Sequence, residues 1–216
     1  MACEWDRTGF VTQGAGNKSQ FADGSFESKY FTRNPIARLL VRNFFGRLEE
    51  LLAKTQGKIL DVGAGKGGAY MFLGEAIMGR GIVAVEPQRE YLKIMAENAP
   101  KVTAVEGSIY KLPFADKSFD TVMCLEVLEH LDSPDKGMAE LCRVCRRWLI
   151  VTVPREPVWR ILNLVRGAHL KAFGNTPDHR QHWSRRGFVQ FVSKYAEVKD
   201  VRSPLPWTIV LAGPKG

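Results

Sequence analysis

The feature that most constrains the fold of this chain is a glycine-rich turn between a short apolar run and a helical pattern. Residues 58–62 predict a buried strand, residues 61–68 (DVGAGKGG) form the turn, and residues 69–78 predict a helix. The glycines allow positive φ angles and a close approach of the backbone to a ligand. This order of strand, turn and helix predicts the first βα unit of a parallel sheet.

The rest of the chain repeats this alternation. Residues 35–53 have helical spacing, with Asn34 as the cap and Pro35 in the first turn. Further strands are predicted at residues 81–86, 102–106, 119–125 and 148–153, and further helices at residues 91–98 and 136–146. The fold class is therefore α/β, a Rossmann-like doubly wound sheet with helices on both faces.

The pattern changes after residue 154. Residues 158–173 predict an amphipathic basic helix, and residues 174–182 a polar loop. Ser184 is the predicted cap of a helix that runs to about Lys194. Two closing strands are expected at residues 198–202 and 208–212.

Composition and charge limit the classes of protein. A chain of 216 residues with 45% hydrophobic residues suits one domain with a full core. The sequence contains no run of about 20 apolar residues, so we expect no transmembrane helix. Residues 1–17 lack the features of a secretory signal, so we expect a soluble cytoplasmic protein. The net charge of +8 leaves nucleic acid, a phosphorylated substrate and a membrane surface open as partners, while a solvated basic face explains it equally well.

Two of the four cysteines form a C-x-x-C pair, Cys142 and Cys145. A zinc site would need two further ligands at suitable spacing, which the sequence does not offer. The pair is therefore interpreted as two thiols on one side of a helix. Cys124 lies in an apolar run, as expected of a buried thiol in a reducing compartment.

Two carboxylates indicate the ligand of the glycine turn. A dinucleotide-binding turn holds a pyrophosphate, which Asp61 at the strand end would repel. Asp61 would instead attract a cation, and S-adenosylmethionine carries an ammonium and a sulfonium. Glu86 ends the second strand, where a carboxylate can accept bonds from two ribose hydroxyls. Each acid has an ordinary alternative, a turn cap for Asp61 and a solvated strand end for Glu86, but the pair favours S-adenosylmethionine.

Four segments carry a resemblance to a known family: ILDVGAGKG (59–67), VAVEP (83–87), EGSIYKLPFADKSFDTV (106–122) and LEVLEHL (125–131). The chain resembles the class I S-adenosylmethionine-dependent methyltransferases, in the type 11 branch that includes the ubiquinone and menaquinone biosynthesis enzymes. The resemblance implies a seven-stranded sheet whose last strand is antiparallel. It also implies an enzyme that releases S-adenosylhomocysteine.

The resemblance implies roles for twelve cofactor-binding residues. In chain order these are Asp61, Gly63, Ala64 and Gly65 at the amino-acid end, Glu86 on the ribose, Pro87, Gln88, Ser108 and Ile109 around the adenine, Leu125 and Glu126 under the methionine, and His130 near the substrate mouth. The family usually has an acid where this chain has Ser108, and serine accepts a hydrogen bond more weakly. A second departure is a shortened turn before the fifth strand.

Methyl transfer needs a general base only when the acceptor loses a proton. His182 is the leading candidate, and His130, His179 and Asp132 are the others; for His130 the pattern favours a structural role that fixes the loop. His179 and His182 also raise a metal interpretation, but Asp178 is the one nearby third ligand, so no metal is predicted. For the substrate we expect contacts from Tyr30, Phe31, Trp159 and Trp183.

The expected organisation is a tail and cofactor-covering segment at residues 1–33 and a methyltransferase domain at residues 34–216, with a small helical lid at about residues 155–183. The predicted acceptor is a small molecule that is methylated on oxygen, nitrogen or carbon and is aromatic, a sugar or lipid-linked. An RNA methyltransferase and a non-catalytic cofactor-binding protein are the alternatives. Peripheral membrane contact and the oligomeric state stay open.

Overall fold

The computed structural model describes residues 30–31, 34–165, 173 and 176–215. The expected tail over residues 1–29 and the end of the predicted basic helix at residues 166–172 lie outside them. The described elements are α1 (Pro35–Leu52), β1 (Ile59–Val62), α2 (Tyr70–Met78), β2 (Ile82–Glu86), α3 (Arg89–Asn98), β3 (Thr103–Glu106), β4 (Phe119–Leu125), a 3-10 turn (Leu128–His130), α4 (Pro134–Val144), β5 (Cys145–Pro154), α5 (Val158–Val165), α6 (Arg185–Ser193), β6 (Ala196–Arg202) and β7 (Trp207–Pro214).

The seven strands form one sheet in the order β3-β2-β1-β4-β5-β7-β6. β7 is antiparallel to both of its neighbours, and the pairs among β1 to β5 are parallel. This confirms the predicted Rossmann-like sheet with an antiparallel last strand. The strand order reverses between β1 and β4, and ligands of such sheets bind where the carboxyl ends of the strands part at this point.

Helices cover both faces of the sheet, which is why β1 and β2 are buried along their whole length. On one face, α1, α2 and α3 pack through Phe44, Leu73 and Met95. On the other face, α4 and α6 pack through Leu141 and Phe188. Among the described residues, every helix is too short or too polar to cross a membrane.

Local signals account for the helix starts. The Asn34 side chain accepts hydrogen bonds from the backbone N–H groups of Ile36 and Ala37, and Pro35 begins α1. The Ser184 side chain accepts from the backbone N–H of Gly187 and caps α6. Both predicted caps are therefore confirmed.

The interpretation of Cys142 and Cys145 as thiols on one helix is wrong. Cys142 lies in α4, whereas Cys145 is the first residue of β5 and pairs with Phe119 of β4. Pairing with a strand distant in sequence ends the helix at Val144, with no intervening loop. The shortened turn expected before the fifth strand is thus confirmed in its extreme form.

Candidate functional site

A cleft of about 290 Å³ opens at the carboxyl ends of β1, β2 and β4. It is lined by Tyr30, Asp61, Gly63, Ala64, Gly65, Ala69, Glu86, Pro87, Gln88, Tyr91, Leu125, Glu126, Val127 and His130. Most residues predicted to bind the cofactor therefore meet in one place. Ala69, Tyr91 and Val127 were missed by the sequence reasoning, although each lies close in sequence to a predicted contact.

Asp61 is a buried acid at the end of β1, with 2% of its surface exposed. The Tyr70 hydroxyl donates to Asp61 Oδ2 at 2.8 Å, whereas Oδ1 has no hydrogen-bond partner among the described residues. Burial raises the pKa of Asp61 to about 7; the Tyr70 hydrogen bond opposes this and the charge of Glu86 adds to it. The site thus holds an acceptor that a cationic ligand would stabilise in its ionised form.

Glu86, at the end of β2, is held by the backbone. Its Oε2 accepts from the Gly65 N–H at 3.0 Å and its Oε1 from the Gln88 N–H at 3.1 Å. Burial raises the pKa of Glu86, and these two hydrogen bonds oppose the rise. Each carboxylate oxygen keeps a further lone pair, so the oriented side chain can still accept from two hydroxyl groups.

The turn after β1 requires glycine at Gly63. Its φ is +77°, and a Cβ there would lie 2.4 Å from Cγ2 of Val127. The Gly63 N–H donates to the Val85 carbonyl oxygen at 2.8 Å, which ties the turn to β2. The glycine turn and the segment after β4 therefore pack too closely for any side chain at this position.

Glu126 follows β4 in a left-handed conformation, with φ at +58°. Its Oε2 accepts from Trp207 Nε1 at 2.7 Å and its Oε1 from Thr152 Oγ1 at 3.1 Å. This buried carboxylate therefore connects the floor of the cleft to β5 and β7. Its partners lie 26 and 81 residues away, and no local pattern in the sequence pointed to them.

Two of the candidate histidines lie together at the mouth of the cleft. His130 lines the cleft, and its ring meets the buried His179 ring edge to face at 5.0 Å between centroids. Trp159 lies beside them, with its ring 5.9 Å from that of His179. His182 does not line the cleft: its Nδ1 lies 3.7 Å from Glu156 Oε1 and its side chain is 37% exposed. The catalytic roles of all three histidines stay predictions.

Part of the chain is similar to a known domain family. Residues 60–149 match the Methyltransferase domain family (type 11). An uncharacterised methyltransferase of Schizosaccharomyces pombe is 35% identical over 104 residues, which cover 43% of this chain and 37% of that protein. A demethylmenaquinone methyltransferase of Renibacterium salmoninarum is 34% identical over 89 residues, covering 41% and 37%. Residues 60–149 are therefore similar to a methyltransferase domain.

A solved structure agrees in fold. The magnesium protoporphyrin IX methyltransferase of Synechocystis, crystallised with S-adenosylhomocysteine, has a TM-score of 0.64 and 14% identity, covering 91% of this chain and 97% of that one. The solved structure confirms the predicted fold, and the match of residues 60–149 agrees with the predicted type 11 branch. The chain spans 37% of the length of each of the two relatives above.

The cleft matches the predicted cofactor, S-adenosylmethionine, in charge. The buried Asp61 Oδ1 needs a donor, and the ammonium of the methionine moiety supplies one. Glu86 offers the oriented acceptor that a ribose needs, and Gly63 lines the cleft with its backbone alone. The assignment of each contact stays a prediction.

The remaining predicted residues divide between the cleft and the core. Tyr30 lines the cleft and packs against Phe45 and Phe72, and Phe31 also meets Phe72. Trp183 does not line the cleft, since its ring packs on Phe188 and Phe191 of α6.

The two residues expected at the far side of the adenine also lie outside the cleft lining. Ser108 is exposed and accepts from the Tyr110 N–H at 3.3 Å. Ile109 is buried in the core cluster on the α4 face, where it lies close to Gly137. An adenine contact from either residue would have to come from a cofactor that extends beyond the cleft described above.

Proposed function

We propose that this chain transfers the methyl group of S-adenosylmethionine to a small-molecule acceptor. The observation that carries the proposal is the meeting of Asp61 and Glu86, two buried acids on adjacent strands, in one cleft. The cofactor supplies the reactive group: its carbon–sulfur bond breaks, a bond to the acceptor forms, and the electron pair returns to sulfur. The chain supplies position and electrostatics.

Each acid has a distinct task in this proposal. Asp61 accepts from the ammonium of the cofactor, because its Oδ1 lies buried while Tyr70 holds its Oδ2. Glu86 accepts from the ribose hydroxyls, because Gly65 and Gln88 fix its orientation. A pyrophosphate at the glycine turn would be repelled by Asp61, which argues against a dinucleotide.

The acceptor enters at the side of His130, His179 and Trp159. The aromatic character of this mouth supports an apolar or aromatic acceptor. A relative that is 34% identical over 89 residues is a demethylmenaquinone methyltransferase, which supports the same acceptor class.

Residues 155–183 act as the lid in this proposal. The described part of this segment joins the mouth of the cleft through backbone hydrogen bonds, since the N–H groups of Arg180 and Gln181 donate to the Glu129 carbonyl oxygen at 2.8 and 2.9 Å. Tyr30 supports the matching proposal for residues 1–33, because it reaches the cleft from just before α1.

Calorimetric titration with S-adenosylmethionine tests the cofactor half. Asp61→Ala and Glu86→Ala should each abolish binding or weaken it strongly, since each removes a charge-assisted contact. Glu106→Ala is the matched control: Glu106 ends the neighbouring strand in register with Glu86, but it is exposed and pairs with Arg89. Unchanged affinity in both cleft variants would refute the cofactor contacts.

A screen with labelled cofactor over phenols and quinols, sugars, amines and RNA tests the acceptor half. We expect label in the phenols or quinols; label in RNA alone would replace the small-molecule proposal with the basic-surface alternative.

For the base, His182→Ala should lower turnover with cofactor affinity intact. A rate equal to that of the wild type would remove His182 from the mechanism.

A further inference from the structure

Three side chains with metal-binding atoms meet at the mouth of the cleft: Glu129, His130 and His179. One carboxylate oxygen and one ring nitrogen from each histidine all lie within 4.8 Å of one another. The sequence spacing had raised a different set, His179 with His182 and Asp178, from which no metal was predicted. His182 instead faces Glu156, and the ligands that the fold brings together come from two segments far apart in the chain.

The two segments are fastened to each other by the backbone. Glu129 and His130 lie in the 3-10 turn after β4, and His179 lies in the loop that precedes α6. The Arg180 and Gln181 N–H groups donate to the Glu129 carbonyl oxygen, and the Gln181 side chain donates to the Leu131 carbonyl oxygen at 3.1 Å. His179 is therefore positioned against the turn by its immediate neighbours.

The hydrogen bonding of His130 orients its ring for coordination. His130 Nδ1 lies 3.0 Å from the Asp178 carbonyl oxygen, which can only accept, so Nδ1 carries the proton. In the neutral ring the lone pair then belongs to Nε2, which lies 4.0 Å from Glu129 Oε1. A backbone carbonyl that holds the second ring nitrogen is the usual support of a metal-binding histidine.

Burial adds an electrostatic reason for a cation. Glu129 is 1% exposed and His179 is 6% exposed. A carboxylate this deeply buried is costly when ionised, and a positive charge beside it offsets the cost. Two imidazoles and one carboxylate form the donor set of catalytic zinc sites and of sites for other divalent transition metals, and they suit magnesium or calcium poorly.

We propose that Glu129, His130 and His179 bind one divalent transition-metal ion, with Zn²⁺ as the best fit, at the acceptor side of the cleft. Ligand atoms at 2.0–2.1 Å from a tetrahedral ion lie about 3.3 Å from one another. The distances between the three ligand atoms therefore shorten by about 1 Å when the ion binds. Because His130 lines the cleft, the ion faces the acceptor. If the proposed methyl transfer holds, the ion binds an acceptor oxygen and lowers its pKa.

Metal binding is measured directly on the untagged full chain, stripped with a chelator and titrated with Zn²⁺ alone. We expect one ion per chain, and a Co²⁺-loaded sample with the absorption spectrum of a tetrahedral site that includes nitrogen ligands. His179→Ala and Glu129→Gln should each weaken Zn²⁺ binding at least 100-fold. Glu129→Gln keeps the shape of the side chain, so the test survives if His179→Ala fails to fold. His182→Ala is the matched control and should retain the ion.

Calorimetry with S-adenosylmethionine on the same samples separates this proposal from the function it rests on. Cofactor binding without a stoichiometric ion would overturn the metal site and leave the methyltransferase proposal intact. A bound ion without cofactor binding would support the metal site and overturn the methyltransferase proposal. Zn²⁺ affinity that is unchanged in both His179→Ala and Glu129→Gln would place the ion elsewhere, at the cysteines or at His182, and would also overturn the proposal.

Discussion

Replacing Asp61 with asparagine should stabilise the chain without cofactor above neutral pH while weakening its hold on S-adenosylmethionine. Asp61 is fully buried and its pKa is raised to about 7, from 3.8 for a solvated aspartate. Between these two values the folded chain binds more protons than the unfolded chain. The contribution of Asp61 to stability is therefore present at low pH and is lost as the pH rises towards 7.

The magnitude follows from the two pKa values. About 3 pH units at about 1.4 kcal/mol each gives a loss of roughly 4 kcal/mol by pH 8. That is a large share of the roughly 5–15 kcal/mol by which domains are stable. Asparagine has nearly the same shape and can still accept from the Tyr70 hydroxyl, but it carries no charge. At pH 8 the variant should exceed the wild type by up to about 4 kcal/mol, and near pH 4 the two should be similar.

Urea unfolding from pH 4 to pH 8 measures this difference, since groups that titrate alike in both proteins cancel. Asp116→Asn is the control, because Asp116 is an exposed acid paired with Arg143, and it should follow the wild-type pH profile. Calorimetry supplies the second readout: below pH 7, cofactor binding to the wild type should release a proton as the ammonium ionises Asp61. Parallel pH profiles for wild type and Asp61→Asn, or equal cofactor affinities, would refute the reasoning.

Three further substitutions test the packing of the chain. Gly63→Ala should lower stability by at least about 2 kcal/mol in thermal unfolding, because a positive φ and a 2.4 Å contact with Val127 combine; unaltered melting would contradict the observed turn. Gly46→Ala is the opposite case, because a Cβ at position 46 meets nothing within 4 Å. This substitution should raise the stability of the chain by up to about 1 kcal/mol, since alanine favours the helical conformation of α1 more than glycine does. Trp207→Phe removes a donor to the buried Glu126 carboxylate and should cost about 1–3 kcal/mol in urea unfolding; a smaller loss would mean that water replaces the indole.

Local sequence signals predict most of this fold. The bounds of β4 agree residue for residue with the apolar run, and the Asn34–Pro35 start of α1 follows from its cap. The junction between α4 and β5 was not predictable in the same way. The helical period continues past Val144, and only the pairing of Cys145 with Phe119 converts the next residues into a strand.

The cofactor side and the acceptor side of the site also differ in how far the sequence predicts them. Asp61 and Glu86 each follow a strand directly, so parallel strand pairing places them together at one edge of the sheet. His130 and His179 lie 49 residues apart, and their meeting depends on a loop whose path carries no periodic signal. Trp183 is the converse case, because an aromatic residue in a polar loop looks available for substrate while its ring packs on α6.

The way the acceptor side is assembled also indicates how its specificity can vary. The loop that carries His179 is joined to the turn after β4 in part through backbone N–H groups, those of Arg180 and Gln181 on the Glu129 carbonyl oxygen. Such bonds survive most side-chain substitutions, since every residue except proline supplies the same donor. Side chains of this loop can therefore change to suit another acceptor while His179 stays beside His130. The cofactor side has no such freedom, because Gly63 and the two buried carboxylates act through their own atoms.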